Sequence, residues 1–312
     1  RLERAMDIPA VPVEAFRHTR IAVHPEAHDQ VRFLTSGTTS GARGMHCMRR
    51  TDTYRMAALA WGSRALVPVS AGDLSVICLA TEPELSPSSS LGFMMRAFLE
   101  SFDSTSARAT SPRWLLNESG VDLPAMQCAL DQAAALRRPV LLLATSFALV
   151  YLLEALCGAK MRFDGQLIVM QTGGYKGKTR EVSPEELARE ITSTFPEAAV
   201  DLAGEYGMTE LSSQLYEGKI PGAALATPPG WYAPPPWLRV RAVEPTSFRE
   251  VPDGEVGLAC FTDLANVDSA LRVLTNDQVV CRGELVRLLG RAPTSAPRGC
   301  SLSAEELLGG SS

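Results

Sequence analysis

Residues 34–44 read LTSGTTSGARG: five hydroxyl side chains, three glycines and one arginine in eleven positions, with no carboxylate. Glycine costs about 1 kcal/mol in a helix interior, and so polar a run has nothing to bury, so the stretch is a loop. Hydroxyls and closely spaced backbone N–H groups converge on an anion, and phosphate suits them best. The donors are Thr35, Ser36, Thr38, Thr39 and Ser40, with Gly37 among them and Gly41 directly after. This is not the G-x-x-x-x-G-K-[ST] phosphate loop, because no lysine follows the glycines. Nor is it a G-x-S-x-G nucleophile elbow. All four histidines lie within the first 46 residues, so none follows to complete a Ser…Asp…His order. Serine hydrolysis is disfavoured.

Two more glycine-bearing polar segments share this texture. TGGYKGK follows a predicted strand ending at Gln171, and GEYGMTE follows one ending at Leu202. The phosphate-type loop itself follows QVRF, which has the bias of a strand. In α/β sheets ligands bind outside the carboxyl ends of the strands, so the three loops are expected to meet in one crevice.

The elements that must hold them are legible between the loops. VLLLA (140–144) is a buried strand, and Thr145 caps the helix after it. QLIVMQ (166–171) is the next strand. SPEELAREI then starts a helix with Ser183 at N-cap, Pro184 at N1 and Glu186 at N3, a capping-box pattern. AVDL (199–202) is a third strand. This alternation implies a parallel α/β sheet. From about residue 215 the texture changes. TPPGWYAPPPW is excluded from sheet interior and helix alike, whereas LRVRAV and GEVGLACF read as antiparallel strands. The expectation is one domain, with an α/β part over about 1–215, a smaller β-rich subdomain over about 216–290 and a short tail over 291–312.

Composition narrows the class. The chain has 312 residues, 46% of them hydrophobic, and a formal net charge of -5. That supports a large core and leaves no basic footprint for nucleic acid. Seven cysteines without a C-x-x-C pair point to free thiols in a reducing cytoplasm. His24 and His28 are four apart, but Pro25 lies between them and a third ligand is missing, so they read as surface-loop residues rather than a zinc site. The longest apolar run, PVLLLATSFALVYLLEALCGA, is broken by Thr145, Ser146 and Glu154, and reads as a strand and a helix rather than a membrane span. No signal peptide is visible. The opening RLERAMDIPAVPVEAF reads as a helix end running into proline-stiffened chain, so further residues are expected upstream.

TSGTTSG together with YGMTE resembles the adenylate-forming superfamily of acyl-CoA synthetases, peptide-synthetase adenylation domains and luciferases. RVLTND matches that superfamily's Y/R-x-T-G-D signature, with Asn276 in place of the glycine and Thr275 and Asp277 retained. LGRAP supplies the later glycine–arginine pair, Gly290 and Arg291. Within the superfamily, IPAVPVEAF, TGGYKGK and RGCSL are similar to the acyl-protein synthetases of bacterial luminescence fatty-acid reductase complexes. That branch implies a large adenylate-forming domain without the small C-terminal swivel domain and its catalytic lysine.

The resemblance implies a reaction and roles. ATP and Mg²⁺ are the expected cofactors, and a carboxylic acid, probed first as a fatty acid, is the substrate. The carboxylate attacks the α-phosphate, giving acyl-AMP and pyrophosphate, and charge building on phosphate oxygens makes positioning and electrostatics the main task. Residues 35–41 donate to the phosphates, and Arg43 stands where relatives carry a lysine. Gly173 and Gly174 wall the adenine beside Tyr175, and Tyr206 packs on it, with Glu205 and Gly207 in the same segment. Thr209 meets the α-phosphate, and Glu210 binds Mg²⁺, a hard cation that wants carboxylate oxygen. Asp277 accepts the ribose hydroxyls, near Arg291. Lys176 is one replacement for the missing lysine, and Lys178 follows it. Cys300, near Arg298 and ahead of a helix start at Ser303, is the acyl acceptor that the branch implies, since a cation and a helix N-terminus favour thiolate. The other six cysteines sit in apolar contexts and read as buried and inert.

Blander readings stand beside these: Tyr206 as core packing, Asp277 as a turn residue, Lys176 as a solvated lysine and Cys300 as a structural thiol. Three functions stay open at this level. They are an acyl-protein synthetase passing its acyl group to a reductase or acyl-transferase partner, a CoA or small-molecule ligase resembling phenylacetate–CoA ligase, and a catalytically lapsed nucleotide-binding partner of a reductase complex.

Overall fold

The computed structural model describes residues 8–35, 43–105, 112–173 and 182–292. In chain order it begins with β1 (Val11–Pro12), α1 (Ala15–His18), β2 (Val31–Leu34), β3 (Met45–Met48) and α2 (Asp52–Leu66). There follow β4 (Ser75–Leu79), α3 (Ser90–Phe102), β5 (Leu116–Asn117), β6 (Gly120–Val121) and α4 (Leu123–Ala135). The middle holds β7 (Val140–Thr145), α5 (Ser146–Leu156), β8 (Gln166–Thr172), α6 (Pro184–Thr194), β9 (Ala199–Tyr206) and β10 (Leu215–Glu217). The last strands are β11 (Tyr232–Ala233), β12 (Leu238–Val243), β13 (Val256–Asp263), β14 (Arg272–Arg282) and β15 (Leu285–Arg291).

The chain divides into two compact units. One takes Ala58–Gly207 and Tyr216–Pro229; the other takes Arg1–Ala57, Met208–Leu215 and Gly230–Ser312. The division interleaves along the chain, whereas the sequence reading divides it in order near residue 215. Pairing is the reason: β1, from the N-terminal stretch, runs parallel to β14 with Val11 opposite Val273.

In the first of these, the parallel unit, β4, β7, β8 and β9 are neighbours and all parallel. The expected β-α-β-α-β alternation is present, with β4 as a further strand. β4 is buried along its whole length and β7 over all but its last residue, as sheets covered on both faces require. Their core runs from Ile77, Leu142 and Val169 to Leu149, Leu187 and Phe195. The expected caps form: Thr145 Oγ1 accepts from Ala148 N–H at 3.1 Å, and Ser183 Oγ accepts from Glu186 N–H at 3.1 Å. Cys128 and Cys157 are exposed, against the buried-thiol expectation, while Cys47, Cys78, Cys260 and Cys281 are buried. Apolar neighbours in sequence do not decide which side of a helix faces inward, and Cys157 sits past the end of α5 in the left-handed region, at φ 47°.

In the other, antiparallel unit, the strand order is β12-β13-β14-β15-β11. LRVRAV and GEVGLACF pair antiparallel as expected, with Leu238 opposite Asp263. Within TPPGWYAPPPW, the proline-free pair Tyr232–Ala233 does join the sheet, Tyr232 opposite Val286. Its neighbours stay outside because proline cannot donate to the ladder. His24 is buried rather than on a surface loop, with Nε2 2.9 Å from Asp29 Oδ1. That carboxylate offsets the cost of burying the ring, a pairing the sequence reading did not foresee. Among the described residues no helix is long and apolar enough to cross a membrane.

Candidate active site

β2 and β3 pair antiparallel with Leu34 opposite Met45, so Thr35 and Gly44 stand at the base of a hairpin. Its base is tied on both sides. Thr35 N–H donates to the Gly44 carbonyl at 2.9 Å, and Gly44 N–H donates to Thr35 Oγ1 at 2.8 Å. Arg43 Nε donates to the Thr35 carbonyl at 2.6 Å, so its guanidinium clamps the mouth of the loop. Ser36, Gly37, Thr38, Thr39, Ser40 and Gly41 lie outside the described residues.

Glu210 lies against this base. A β-carbon at Gly44 would stand 3.3 Å from Glu210 Oε1 and 3.1 Å from Thr35 Cγ2, so the bare glycine leaves room for the carboxyl. Glu210 is only 5% exposed. Burial pushes its pKa up to about 7, and Glu14 adds to the effect, while its own backbone N–H, Arg17 and Arg291 oppose it.

The backbone carrying Thr209 and Glu210 is held by residues from distant parts of the chain. The buried His46 imidazole lies with Nδ1 2.7 Å from the Thr209 carbonyl. Asn266 Nδ2 donates to the Glu210 carbonyl at 3.1 Å and to the Ala270 carbonyl at 2.8 Å. Asp263, fully buried, accepts from Ser212 N–H at 3.0 Å and Ser213 Oγ at 2.8 Å. Burial holds the Asp263 carboxyl above the usual range, against those donors. The sequence reading missed His46, Asn266 and Asp263. No spacing signal marks them, because each acts on a segment at least 50 residues away.

On β14, Asp277 stands opposite Arg291 of β15, with Arg291 Nε 3.4 Å from Asp277 Oδ1. Asp277 is therefore a strand residue, not a turn aspartate. The ladder shifts register between Gln278 and Val279, and Gly290, opposite Gln278, takes φ +96°, where a side chain would be strained. Asn276, in the place of the signature glycine, donates to Glu14 Oε1 at 2.5 Å. Thr275 is buried and bonds the Ala259 carbonyl at 3.1 Å.

In the parallel unit the carboxyl ends of three strands line up in register: Thr145 opposite Thr172, and Thr172 opposite Glu205. β8 runs to Thr172 and β9 to Tyr206, past the expected ends at Gln171 and Leu202. Pairing with β8 carries β9 past Leu202 through Ala203, Gly204 and Glu205, which local propensity leaves as loop. Glu205 and half-buried Tyr206 are thus strand residues, and Gly207 follows the strand. Thr172 Oγ1 donates to Glu205, which is 6% exposed and whose pKa burial pushes up to about 7 against that bond. Gly173, at φ +68°, opens the next loop, and Ser146 Oγ donates to its carbonyl at 2.6 Å. Gly174, Tyr175, Lys176 and Lys178 lie outside the described residues, as do Arg298 and Cys300.

The predicted residues thus gather in two sets. Thr35, Arg43, Thr209 and Glu210 surround the hairpin base of the antiparallel unit, which also carries the Asp277–Arg291 pair. Gly173, Glu205 and Tyr206 end adjacent parallel strands of the other unit.

Similar proteins include two long-chain-fatty-acid–luciferin-component ligases. The one from Vibrio harveyi is 24% identical over 172 residues, 50% of this chain and 43% of that protein. The one from Aliivibrio fischeri is 29% identical over 83 residues, 24% of this chain and 22% of that protein. The match spans less than half of either relative. Among solved structures, ATP-bound MatB from Rhodopseudomonas palustris superposes with a TM-score of 0.53 at 16% identity, over 83% of this chain and 47% of that one. An open conformation of 2-hydroxyisobutyryl-CoA ligase gives 0.58 at 15% identity, over 93% and 66%. At such identities the likeness is one of fold. The family model for acyl-protein synthetase, LuxE, matches residues 3–309, and the chain therefore belongs to the acyl-protein synthetase (LuxE) family.

Proposed function

We propose that this chain activates a carboxylic acid, a long-chain fatty acid first among the candidates, with ATP and passes the acyl group to a protein thiol. The observation that carries the reading is the buried Glu210 carboxyl set against Thr35 and Gly44 at the mouth of the hydroxyl-rich hairpin. In the first step a substrate carboxylate oxygen bonds to the α-phosphorus of ATP as the bond to pyrophosphate breaks. In the second, the thiol sulfur bonds to the acyl carbon, AMP leaves, and the thiol proton goes to solvent. The hydroxyls and glycines of 35–44 steady the phosphate oxygens, Thr209 the α-phosphate, and Asp277 the ribose hydroxyls. Arg291, already beside Asp277, adds positive charge there. Tyr206, with Gly173, Gly174 and Tyr175, supplies the adenine surface, and Glu205 and Gly207 belong to the same lining.

The residues present fit a magnesium ion. Among the described residues no cluster of three or more ligating side chains forms, and Mg²⁺ binds by one or two carboxylates together with phosphate oxygens and water. Glu210 would hold it, and the ion would neutralise phosphate charge. Cys300 is the proposed acceptor, Lys176 a proposed charge near the phosphates, and an acyl-reductase or acyl-transferase the proposed partner. Six described cysteines without a disulfide suit a reducing, cytoplasmic setting.

ATP–pyrophosphate exchange, screened over carboxylic acids of graded chain length, tests the reading. Acid-dependent exchange is expected. Its absence with every acid, in a protein that still binds ATP, would favour a lapsed nucleotide-binding partner. Glu210→Gln is expected to keep ATP affinity within about threefold yet cut Mg²⁺-dependent exchange by at least about a hundredfold, the size of effect seen when a group stabilising developing charge is lost.

A further inference from the structure

Gly44 and His46 are two residues apart on the extended chain that leaves the hairpin, so they face the same way. Both meet the same segment. Gly44 lies against the Glu210 carboxyl, and His46 Nδ1 is 2.7 Å from the Thr209 carbonyl. A carbonyl oxygen only accepts, so the proton of this bond resides on Nδ1. The ring is completely buried and packs edge-on to Phe16, with centroids 6.2 Å apart. Burial holds the imidazole below its usual range, against the Thr209 bond, Asp268 and Asn266, so the ring is a neutral donor with a fixed tautomer.

From this geometry we infer that His46 is a positioning residue that couples the hydroxyl-rich hairpin to Thr209 and Glu210. The inference rests on the proposed adenylation. His46 touches none of the reacting atoms. It holds the backbone of Thr209 from the same extended segment that carries Gly44, so the base of the hairpin and the Glu210 carboxyl keep one mutual geometry. A buried histidine in β3 that merely filled core would need no hydrogen bond to this carbonyl, and an apolar residue of its size would serve as well.

Two amide variants separate these roles. In His46→Asn the amide nitrogen falls near the Nδ1 position, and in His46→Gln it falls near Nε2. Both are polar and uncharged, so they share the cost of an amide in the core and differ in where the donor stands. His46→Asn is expected to keep exchange activity within about threefold of wild type. His46→Gln is expected to lose at least about tenfold in kcat with KM for the acid nearly unchanged, since misplacement of about 1 Å at a reacting centre costs up to about a hundredfold. Hydrogen–deuterium exchange of the peptide around 207–213 supplies a readout independent of activity. It is expected to speed up in His46→Gln and stay slow in His46→Asn. Equal kcat and equal protection in the two variants would overturn the coupling. Should the wild type catalyse no exchange, the proposed function fails, and the protection data alone decide whether His46 braces Thr209.

Discussion

A carboxyl buried among parallel strands leaves a pH signature, and Glu205 is the residue to show it. Its folded pKa of about 7 lies above the ordinary 4.5, so the folded chain holds the proton more tightly than the unfolded one. Stability from this group is fully present below about pH 4.5 and is lost as pH rises through 7. Glu205→Gln stays neutral and keeps an acceptor for the Thr172 hydroxyl. Urea unfolding should find the variant more stable than wild type at pH 8, by at most about 3 kcal/mol, and nearly equal at pH 4.5. The same pH slope in both proteins would remove Glu205 from this account. Asp277 is argued on different grounds. It is half-buried, and Arg291, which faces it, is largely exposed, so that ion pair adds little stability and leaves the carboxylate able to serve a ligand. Asp277→Ala should raise Kd for Mg·ATP at least about tenfold in calorimetry, because a hydrogen bond to a charged acceptor is worth roughly 1.5–3 kcal/mol. Unchanged affinity would take it out of the site.

At the scale of elements, the β2–β3 hairpin joins two of the motifs. Its mouth is closed by three hydrogen bonds among Thr35, Arg43 and Gly44, and its outgoing strand carries His46 to Thr209. Gly44→Ala tests how closely the mouth is fitted to Glu210. The added methyl would crowd Glu210 Oε1 and Thr35 Cγ2. The Thr35 side chain can turn away only by giving up its bond from Gly44 N–H. Exchange activity should fall by about tenfold, within the range that sub-ångström misplacement produces, while the melting temperature moves by only a few degrees. Full activity would mean that the Glu210 carboxyl is free to shift without consequence. Much of this scale was legible beforehand. Thr145 and Ser183 declare helix starts because a side-chain oxygen there satisfies an N–H that the helix cannot. The far end of β9 was not legible. Glu205 is extended because Thr172 lies alongside, and no local propensity reports a neighbour strand.

At the scale of the whole molecule, the family signature spans nearly all 312 residues, while the curated relatives are matched over less than half their length. The acyl acceptor is therefore the prediction that belongs to the full chain. Incubated with ATP and a labelled acid, the protein should acquire a covalent label that neutral hydroxylamine releases. Cys300→Ser should still catalyse exchange but carry no such label, because a thiol is a few per cent ionised at neutral pH while a serine hydroxyl is not. Labelling of Cys300→Ser equal to wild type would move the acceptor elsewhere, with exposed Cys128 and Cys157 the first to examine. Exchange without any labelling would favour a small-molecule ligase.

The expectation of an anion loop rests on composition, which is local: the hydroxyls and glycines of LTSGTTSGARG stand out whatever surrounds them, and their role remains a proposal. The order of strands and helices in the parallel unit was readable for a similar reason, since buried runs and caps repeat over short distances. Tertiary structure decided the rest. It set Glu210 against Gly44 and His46 against Thr209, buried His24 beside Asp29, and made Asp277 the strand partner of Arg291. The first two are contacts across a large sequence separation, and the last is a register between strands. Burial and the perturbed acidity of Glu205 and Glu210 follow from such contacts, because a carboxyl's pKa depends on the water its neighbours exclude, and the chain brings those neighbours together only when it folds.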